Sequence, residues 1–347
     1  MKFSKTLIRW YSNNKRILPW RETKNPYYIW LSEIILQQTQ VKQGLPYYEA
    51  FVTKYPTVFD LANADEGDVL KLWQGLGYYS RARNLHASAK YVVDELQGVF
   101  PNSYKDLLNL KGVGDYTASA IASICFDEAT AVVDGNVYRV LSRYFGIDTT
   151  INSSKGAKEF KALAQELIDK KNPADFNQAI MEFGATQCKP KKPECHICPF
   201  QDVCIAFNKN KIDDLPVKIK SAKAKKKFFN FLVFISEDGR TILEKREGKG
   251  IWQNLYQFPL IETNKDWDAL GFKKEIKKHY LINDRTFELS LYNEDAIIHK
   301  LSHQHLFTKF WILSVNKLAI EGIPLGEIRA YAVPILIGNF IEAFNFE

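Results

Sequence analysis

Residues 110–118 read Leu110-Lys111-Gly112-Val113-Gly114-Asp115-Tyr116-Thr117-Ala118 and lie between two short helical patterns. The first begins at Ser103 with Asp106 three residues on, and the second at Asp115, continuing over the small residues Ala118, Ser119 and Ala122. Two glycines one residue apart allow a tight turn with bare main-chain amides aimed along a helix N-terminus. That setting favours an anion such as phosphate. It is the form of a helix-hairpin-helix (about 103–125), which grips a nucleic-acid backbone without reading bases. A plain helical turn would use the same two glycines, so the order of motifs around the hairpin decides the reading.

Helical periodicity extends outward from the hairpin over roughly residues 4 to 207, broken at Pro and Gly. Asn25-Pro26 supplies a cap and a first-turn proline. Asn136 can cap a helix whose apolar stripe is Val137, Val140, Leu141 and Tyr144. Strand-like alternation is missing here, which predicts an all-α domain over 1–208. Residues 209–227 carry eight Lys, two Asp and Pro216 with no apolar period, and read as a basic linker. Beyond it the period changes to two. Residues 228–235 and 241–245 flank Asp238-Gly239 and predict a hairpin. Further strands are predicted over 286–292, 296–301 and 306–315, and helices over 266–280 and 334–344. Residues 228–347 thus form a separate α+β domain.

The 347 residues, 46% hydrophobic and 25% charged, suit two or three globular domains. No apolar run reaches 18 residues and no secretory h-region is present, so neither a membrane span nor export is expected. A cytoplasmic, nucleoid-associated location is the default. The net charge of +7 is uneven, since residues 1–30 hold seven Lys/Arg against Glu22 alone. Together with the lysine-rich stretch, this points towards an anionic partner, although solvated tails would look the same.

Two carboxylates and four thiols carry the chemistry. Helical spacing puts Ile29, Glu33, Leu36 and Gln40 on one face of a helix that is apolar on most sides. Burial there raises a carboxyl pKa and suits Glu33 to proton donation near neutrality; an acid at a helix edge paired with Arg is the bland alternative. Asp134-Gly135-Asn136 follows the apolar run 129–133 and precedes a helix, so amides and dipole favour a charged Asp134. An ordinary capping Asp fits as well. One protonated and one ionised carboxyl is the division of labour in glycosidic cleavage. Cys188, Cys195, Cys198 and Cys204 are spaced C-x6-C-x2-C-x5-C, which means metal rather than disulfides. The spacing leaves zinc and [4Fe–4S] both open. Cys125, among Ala122 and Ile124, reads as a buried core thiol.

In this order the features resemble the adenine DNA glycosylase (MutY) family of the endonuclease III superfamily. The resemblance runs through Leu18-Pro19-Trp20-Arg21, Leu31-Ser32-Glu33 and Leu36-Gln37-Gln38-Thr39-Gln40-Val41. It continues over Gly75-Leu76-Gly77-Tyr78-Tyr79-Ser80-Arg81-Ala82-Arg83-Asn84-Leu85, the hairpin, Asp134-Gly135-Asn136-Val137 and the four cysteines. The long strings are specific, and they move the cysteines to a [4Fe–4S] cluster over 188–204. The resemblance implies hydrolysis of the N-glycosidic bond of adenine opposite 8-oxoguanine or guanine in double-stranded DNA. By it, Glu33 protonates the flipped adenine, Asp134 stabilises the sugar cation, and Tyr116 and Asn136 support them. Trp20, Arg21 and Gln178 match the adenine pocket. Gln38 and Tyr78 match residues that wedge into the gap, Thr39 and Leu76 lie by the opposite base, and Gly112 and Gly114 match the DNA-holding hairpin.

Relatives that also nick the abasic strand carry a Schiff-base lysine where this chain has Tyr116, and a phenol forms no imine. A monofunctional, monomeric enzyme is expected. The alternatives are a bifunctional glycosylase/lyase and a noncatalytic iron–sulfur mismatch-binding protein. The C-terminal part resembles the family's Nudix-like domain, with Leu301, Ser302 and His303 in the loop that meets 8-oxoguanine. The family often has Phe at the positions of Leu301 and Gln304, a departure. A cation site from His299, His303 and His305 is the competing reading of that loop. The acidic Nudix catalytic box is missing, so pyrophosphatase activity is not expected.

Overall fold

The computed structural model describes residues 2–219, 224–277, 279, 281–282 and 287–346. Residues 220–223 of the expected linker, 278 and 280 of the helix expected over 266–280, and 286 of the strand expected over 286–292 lie outside the described residues. In chain order the first helices are α1 (Lys2–Asn14), α2 (Pro26–Leu36), α3 (Val41–Lys54), α4 (Val58–Asn63), α5 (Glu66–Leu72), α6 (Ser80–Asp94) and α7 (Tyr104–Leu107). Then follow α8 (Asp115–Phe126), α9 (Gly135–Phe145), α10 (Ser154–Leu167), α11 (Pro173–Thr186) and α12 (Ile205–Asn208). Among the described residues no helix is long and apolar enough to cross a membrane.

Two compact units divide the chain, and the first comprises Met1–Asn63 with Asn84–Lys220. Its helices start where side chains can replace missing main-chain partners. Asn25 accepts the Tyr27 amide at 2.9 Å, ahead of Pro26, and Ser103 accepts the Asp106 amide at 3.1 Å. The hairpin between α7 and α8 forms as expected, with Gly112 at φ +80° and the Val113 amide on Leu110 O at 3.1 Å. At the head of α9 the cap is Asp134, not Asn136, because Asn136 already lies inside the first turn. Likewise α2 stops at Leu36, so Gln40 leaves the face of Glu33 and instead heads α3. The small residues Ala118, Ala120 and Ala122 of α8 are fully buried, which lets α2 and α11 pack closely on it.

The second unit comprises Ala64–Arg83 with Ser221–Glu347. Residues 64–83, expected within 1–208, group here through specific bonds. Lys71 Nζ donates to Tyr331 O at 3.2 Å, Tyr79 Oη to Val333 O at 3.3 Å and Arg83 Nη1 to Gln253 O at 2.9 Å. The strands are β1 (Lys225–Ser236), β2 (Arg240–Thr241), β3 (Glu244–Lys245), β4 (Tyr256–Gln257), β5 (Leu260–Thr263), β6 (Glu288–Leu291), β7 (Ile297–Lys300), β8 (Gln304–Val315) and β9 (Ile323–Pro324), with helices α13 (Ala269–Ile276) and α14 (Ile335–Ala343). The main sheet runs β5-β1-β8-β6, with β7 also on β8. β1 and β8 are parallel from Lys225↔Gln304 to Ser236↔Val315. Because both faces are covered, β1 reads Phe-Phe-Asn-Phe-Leu-Val-Phe rather than alternating. α13 lays Phe272 on Trp311 with the rings 4.2 Å apart, and α14 lays Phe340 on Phe310 at 4.1 Å. The Asp238-Gly239 turn exists, with the Gly239 amide on Ser236 O at 2.9 Å. The hairpin expected there does not form: β2 pairs with β9, while β1 pairs with β8 along its whole length and with β5 over Phe228–Phe231.

Candidate active site

A cavity of about 170 Å³ opens in the first unit, lined by Trp20, Arg21, Ile29, Glu33, Leu36, Thr39, Tyr116, Asp134, Asn136 and Gln178 among others. The expected catalytic and base-pocket residues therefore meet in one place. Glu33 reaches it from the apolar helix α2 and is only 8% exposed. Burial pushes its carboxyl up to about 7; the Tyr116 hydrogen bond and Arg21 oppose the rise, and the Asp134 charge adds to it. A carboxyl so placed holds a proton near neutrality and can give it up.

Asp134 differs in its donors. Its Oδ1 accepts the amides of Asn136 at 2.9 Å and Val137 at 2.8 Å, and its Oδ2 accepts Asn136 Nδ2 at 2.7 Å. Burial raises this carboxyl above its ordinary value, while those donors and Arg139 pull it down. With three hydrogen bonds made to its anion, Asp134 is the better carboxylate and Glu33 the better acid of the pair. Asn136 is held in turn, its Oδ1 accepting Arg139 Nη2 at 2.8 Å. Arg139 also donates to Gly184 O at 2.6 Å and Cys188 O at 2.7 Å. Tyr116, whose phenol is raised well above its ordinary range by burial and then by Glu33, lies 3.0 Å from Met181 Sδ.

On the other side of the cavity, Trp20 stands edge-on to Tyr48 at 5.1 Å. Arg21 Nη2 donates to Glu182 Oε2 at 2.7 Å, its guanidinium over the Tyr11 ring. Tyr11 Oη donates to Gln178 Oε1 at 2.8 Å, which turns the amide nitrogen of Gln178 away from Tyr11. Glu182 was not among the residues singled out from sequence. It is buried and also accepts from Arg16 Nε and Nη2, each at 2.7 Å. Burial works to raise Glu182, but the two arginines outweigh it and hold it at about 2. Its signal was its place one helical turn after Gln178 among apolar neighbours, since an acid there needs a cation.

The expected wedges carry backbone strain. Gln38 has φ +56° and Tyr78 has φ +46°, conformations uncommon outside glycine. Gln38 is exposed, and Tyr78 is 50% exposed for all its apolar ring. Gly75 and Gly77, also at positive φ, make the turn before Tyr78, and Leu76 between them is buried. Within the second unit, β7 and β8 form a hairpin closed by the Leu301 amide on Gln304 O at 2.9 Å. Ser302 and His303 form its exposed tip, and the Tyr78 and Ser302 hydroxyls are hydrogen-bonded. The three histidines do not gather: His299 packs on Trp252, while His303 is at the tip and His305 on β8.

Cys188, Cys195, Cys198 and Cys204 line one apolar pocket with Tyr144, Phe183, Phe200 and Phe207. Among the described residues no three His, Cys, Asp or Glu converge as they would on a single ion. The four thiols share one pocket lining, as the ligands of a [4Fe–4S] cluster held by four cysteines must. Arg143, buried, donates from Nη1 to Cys188 Sγ at 3.5 Å. Cys125 is half-buried, and burial pushes it up to about 12.

Three family descriptions match the chain: an HhH-GPD superfamily base excision DNA repair protein over residues 31–170, the iron–sulfur binding domain of endonuclease III over 188–204, and a NUDIX domain over 230–343. Fold and site thus define a helix-hairpin-helix base-excision repair protein carrying an iron–sulfur site and a Nudix-like domain. A solved thermostable thymine-DNA glycosylase is 32% identical with a TM-score of 0.56, covering 60% of this chain and 95% of that one. The adenine DNA glycosylase of Buchnera aphidicola subsp. Baizongia pistaciae is 36% identical over 321 residues, 92% of this chain and 88% of the relative. The human adenine DNA glycosylase is 47% identical over 213 residues, 59% of this chain and 39% of the relative. The chain belongs to the adenine DNA glycosylase family.

Proposed function

We propose that this protein is a monomeric, monofunctional glycosylase that hydrolyses the N-glycosidic bond of adenine opposite 8-oxoguanine or guanine in double-stranded DNA. The observation that carries the reading is the pairing of Glu33, pushed up to about 7, with amide-held Asp134 across one cavity. The bond is out of reach inside the base stack, so the nucleotide has to be extruded. Gln38 and Tyr78 fill the gap, and Trp20, Arg21 and Gln178 receive the base. Glu33 then donates its proton to the adenine ring, withdrawing electrons from the bond as the base leaves. Asp134 faces the developing sugar cation, kept in place by Asn136, and water activated by Glu33 completes hydrolysis.

Tyr116 occupies the position of the Schiff-base lysine, so no imine with the sugar forms and the strand is left intact. Cys188, Cys195, Cys198 and Cys204 would hold a [4Fe–4S] cluster, whose bonds to all four thiols would tie the 188–204 loop together. The domain roles follow: the helical unit for chemistry, the lysine-rich stretch ahead of β1 as basic linker, and the C-terminal part together with residues 64–83 for inspecting the opposite base. There the Ser302 hydroxyl accepts from the N–H that 8-oxoguanine has and guanine lacks, flanked by Leu301 and His303, while Thr39 and Leu76 act on the opposite base.

The test is a single-turnover assay on a duplex with adenine opposite 8-oxoguanine, read with and without alkali. Breaks only after alkali support the reading, and breaks without alkali mean a lyase. Glu33→Gln should abolish base release and keep duplex affinity. Tight binding by the iron-loaded wild type with no base release would leave only a mismatch-binding protein.

A further inference from the structure

Residues 127–134, between α8 and α9, have neither helix nor strand, yet they end on Asp134. Buried main chain without a ladder still needs hydrogen-bond partners, and here side chains supply them. Gln165 of α10 donates from Nε2 to Ala129 O at 2.6 Å and accepts the Ala131 amide at 2.9 Å. Asn177 of α11, fully buried, donates to Thr130 O at 2.8 Å and accepts the Val132 amide at 3.1 Å. Lys161 of α10 donates to Ala131 O at 2.7 Å. Two of the three also reach α8, the helix of Tyr116: Lys161 bonds Asp115 Oδ2 at 2.9 Å and Ser119 Oγ at 3.0 Å, and Asn177 bonds Ser123 Oγ at 2.9 Å.

We infer that Lys161, Gln165 and Asn177 are positioning residues that fix the register of 129–133 and thereby aim Asp134 at Glu33. The inference rests on the proposed roles of those two carboxyls. The bonds to Ala129, Thr130, Ala131 and Val132 fix where the chain enters Asp134, so a slip of one residue along them would displace Asp134 from the cavity. The α9 amides fix only the far side of Asp134, and the clamp fixes its approach.

The groups facing Glu33 are Asp134 from the clamped segment, Tyr116 and Cys125 from α8 and Arg21 from the 19–21 turn, with Glu182 of α11 in the same cavity. Of the three that act on it by charge or hydrogen bond, only Asp134 pushes the Glu33 carboxyl up. A displaced Asp134 would therefore lower the basic limb of the pH–rate profile, which loss of stability alone does not do.

The experiment uses the full-length, iron-loaded double variant Lys161→Met/Gln165→Ala, two side chains that are not fully buried. Single-turnover adenine release is followed from pH 5.5 to 9, with duplex Kd and Tm alongside. Expected is a rate loss of at least about tenfold, the scale of small misplacements in an active site. Duplex Kd should stay within about twofold, and the basic limb should move down by at least about 0.3 pH unit. Lys161→Arg with Gln165 intact, which keeps a cationic donor towards Ala131 O and Asp115, should recover most of the rate. A wild-type rate and limb in the double variant would overturn the inference. So would a rate loss matched by lost affinity with the limb unmoved, the mark of a merely structural role. An Asp134→Asn variant is measured beside it: full activity there would sink the proposed role of Asp134 itself, whereas a dead Asp134→Asn with an unaffected double variant sinks only the clamp.

Discussion

At the scale of single residues, the raised carboxyl of Glu33 ties activity to stability. In the folded chain it titrates near 7, against an ordinary value of 4.5. Between those values the folded state holds a proton that the unfolded state has released. The resulting stabilisation is complete below about pH 4.5 and is lost as pH rises through 7, by up to about 3 kcal/mol. Glu33→Gln carries no such proton. Its Tm should therefore rise relative to wild type as the buffer moves from pH 5 to pH 8, while base release is absent throughout. A Tm difference that is the same at both pH values would mean that Glu33 ionises normally. The burial behind this was legible: Ile29, Leu36 and the apolar run around Glu33 announce a desolvated carboxyl. The restraint of Arg21 by Glu182 and of Gln178 by Tyr11 was not, because those partners are 161 and 167 residues apart.

Among the elements, the hairpin separates glycines kept for folding from glycines kept for a ligand. Gly112 sits at φ +80°, and a Cβ there would come to 3.0 Å from Asn84 Cβ. Gly114, at φ −98°, has open space where a Cβ would go. Gly112→Ala should lose about 1–2 kcal/mol of stability through the left-handed backbone. Gly114→Ala should unfold at the wild-type temperature or slightly above it, and still bind duplex more weakly, because its methyl covers the amides offered to phosphate. Equal duplex affinity for Gly114→Ala and wild type, measured at one salt concentration, would remove the phosphate from that turn. Local signals of this kind read well from sequence: Asn25-Pro26, Ser103 with Asp106, and the β7 and β8 strands all form near their expected places. Pairing did not. The Asp238-Gly239 turn is present, but which strand sits beside β1 is settled by β5 and β8 from elsewhere in the chain.

For the whole molecule, the units do not follow chain order, and this is the feature least visible in sequence. Residues 64–83 share the helical period of their neighbours, so periodicity assigns them to the helical part. Their partners are distant: Glu66 accepts from Asn254 Nδ2 at 2.6 Å, Lys71 reaches Tyr331 O and Tyr79 reaches Val333 O. A chain ending at residue 220 would keep 64–83 while removing every one of those partners. Trp73, Val69 and Leu70, all at most 1% exposed in the full chain, belong to the same unit. Amide exchange reports such local loss separately from global unfolding, since each segment opens with its own free energy. In the truncated chain, Glu66–Leu72 should exchange at least about tenfold faster than in the full protein, equivalent to about 1.4 kcal/mol of local stability. Asp115–Phe126, whose contacts lie within the first unit, should keep its protection. Unchanged exchange in Glu66–Leu72 would show that these residues are held without the C-terminal part. Equal acceleration in both helices would show that the truncated chain has lost stability throughout, so that the two units do not fold as separate bodies.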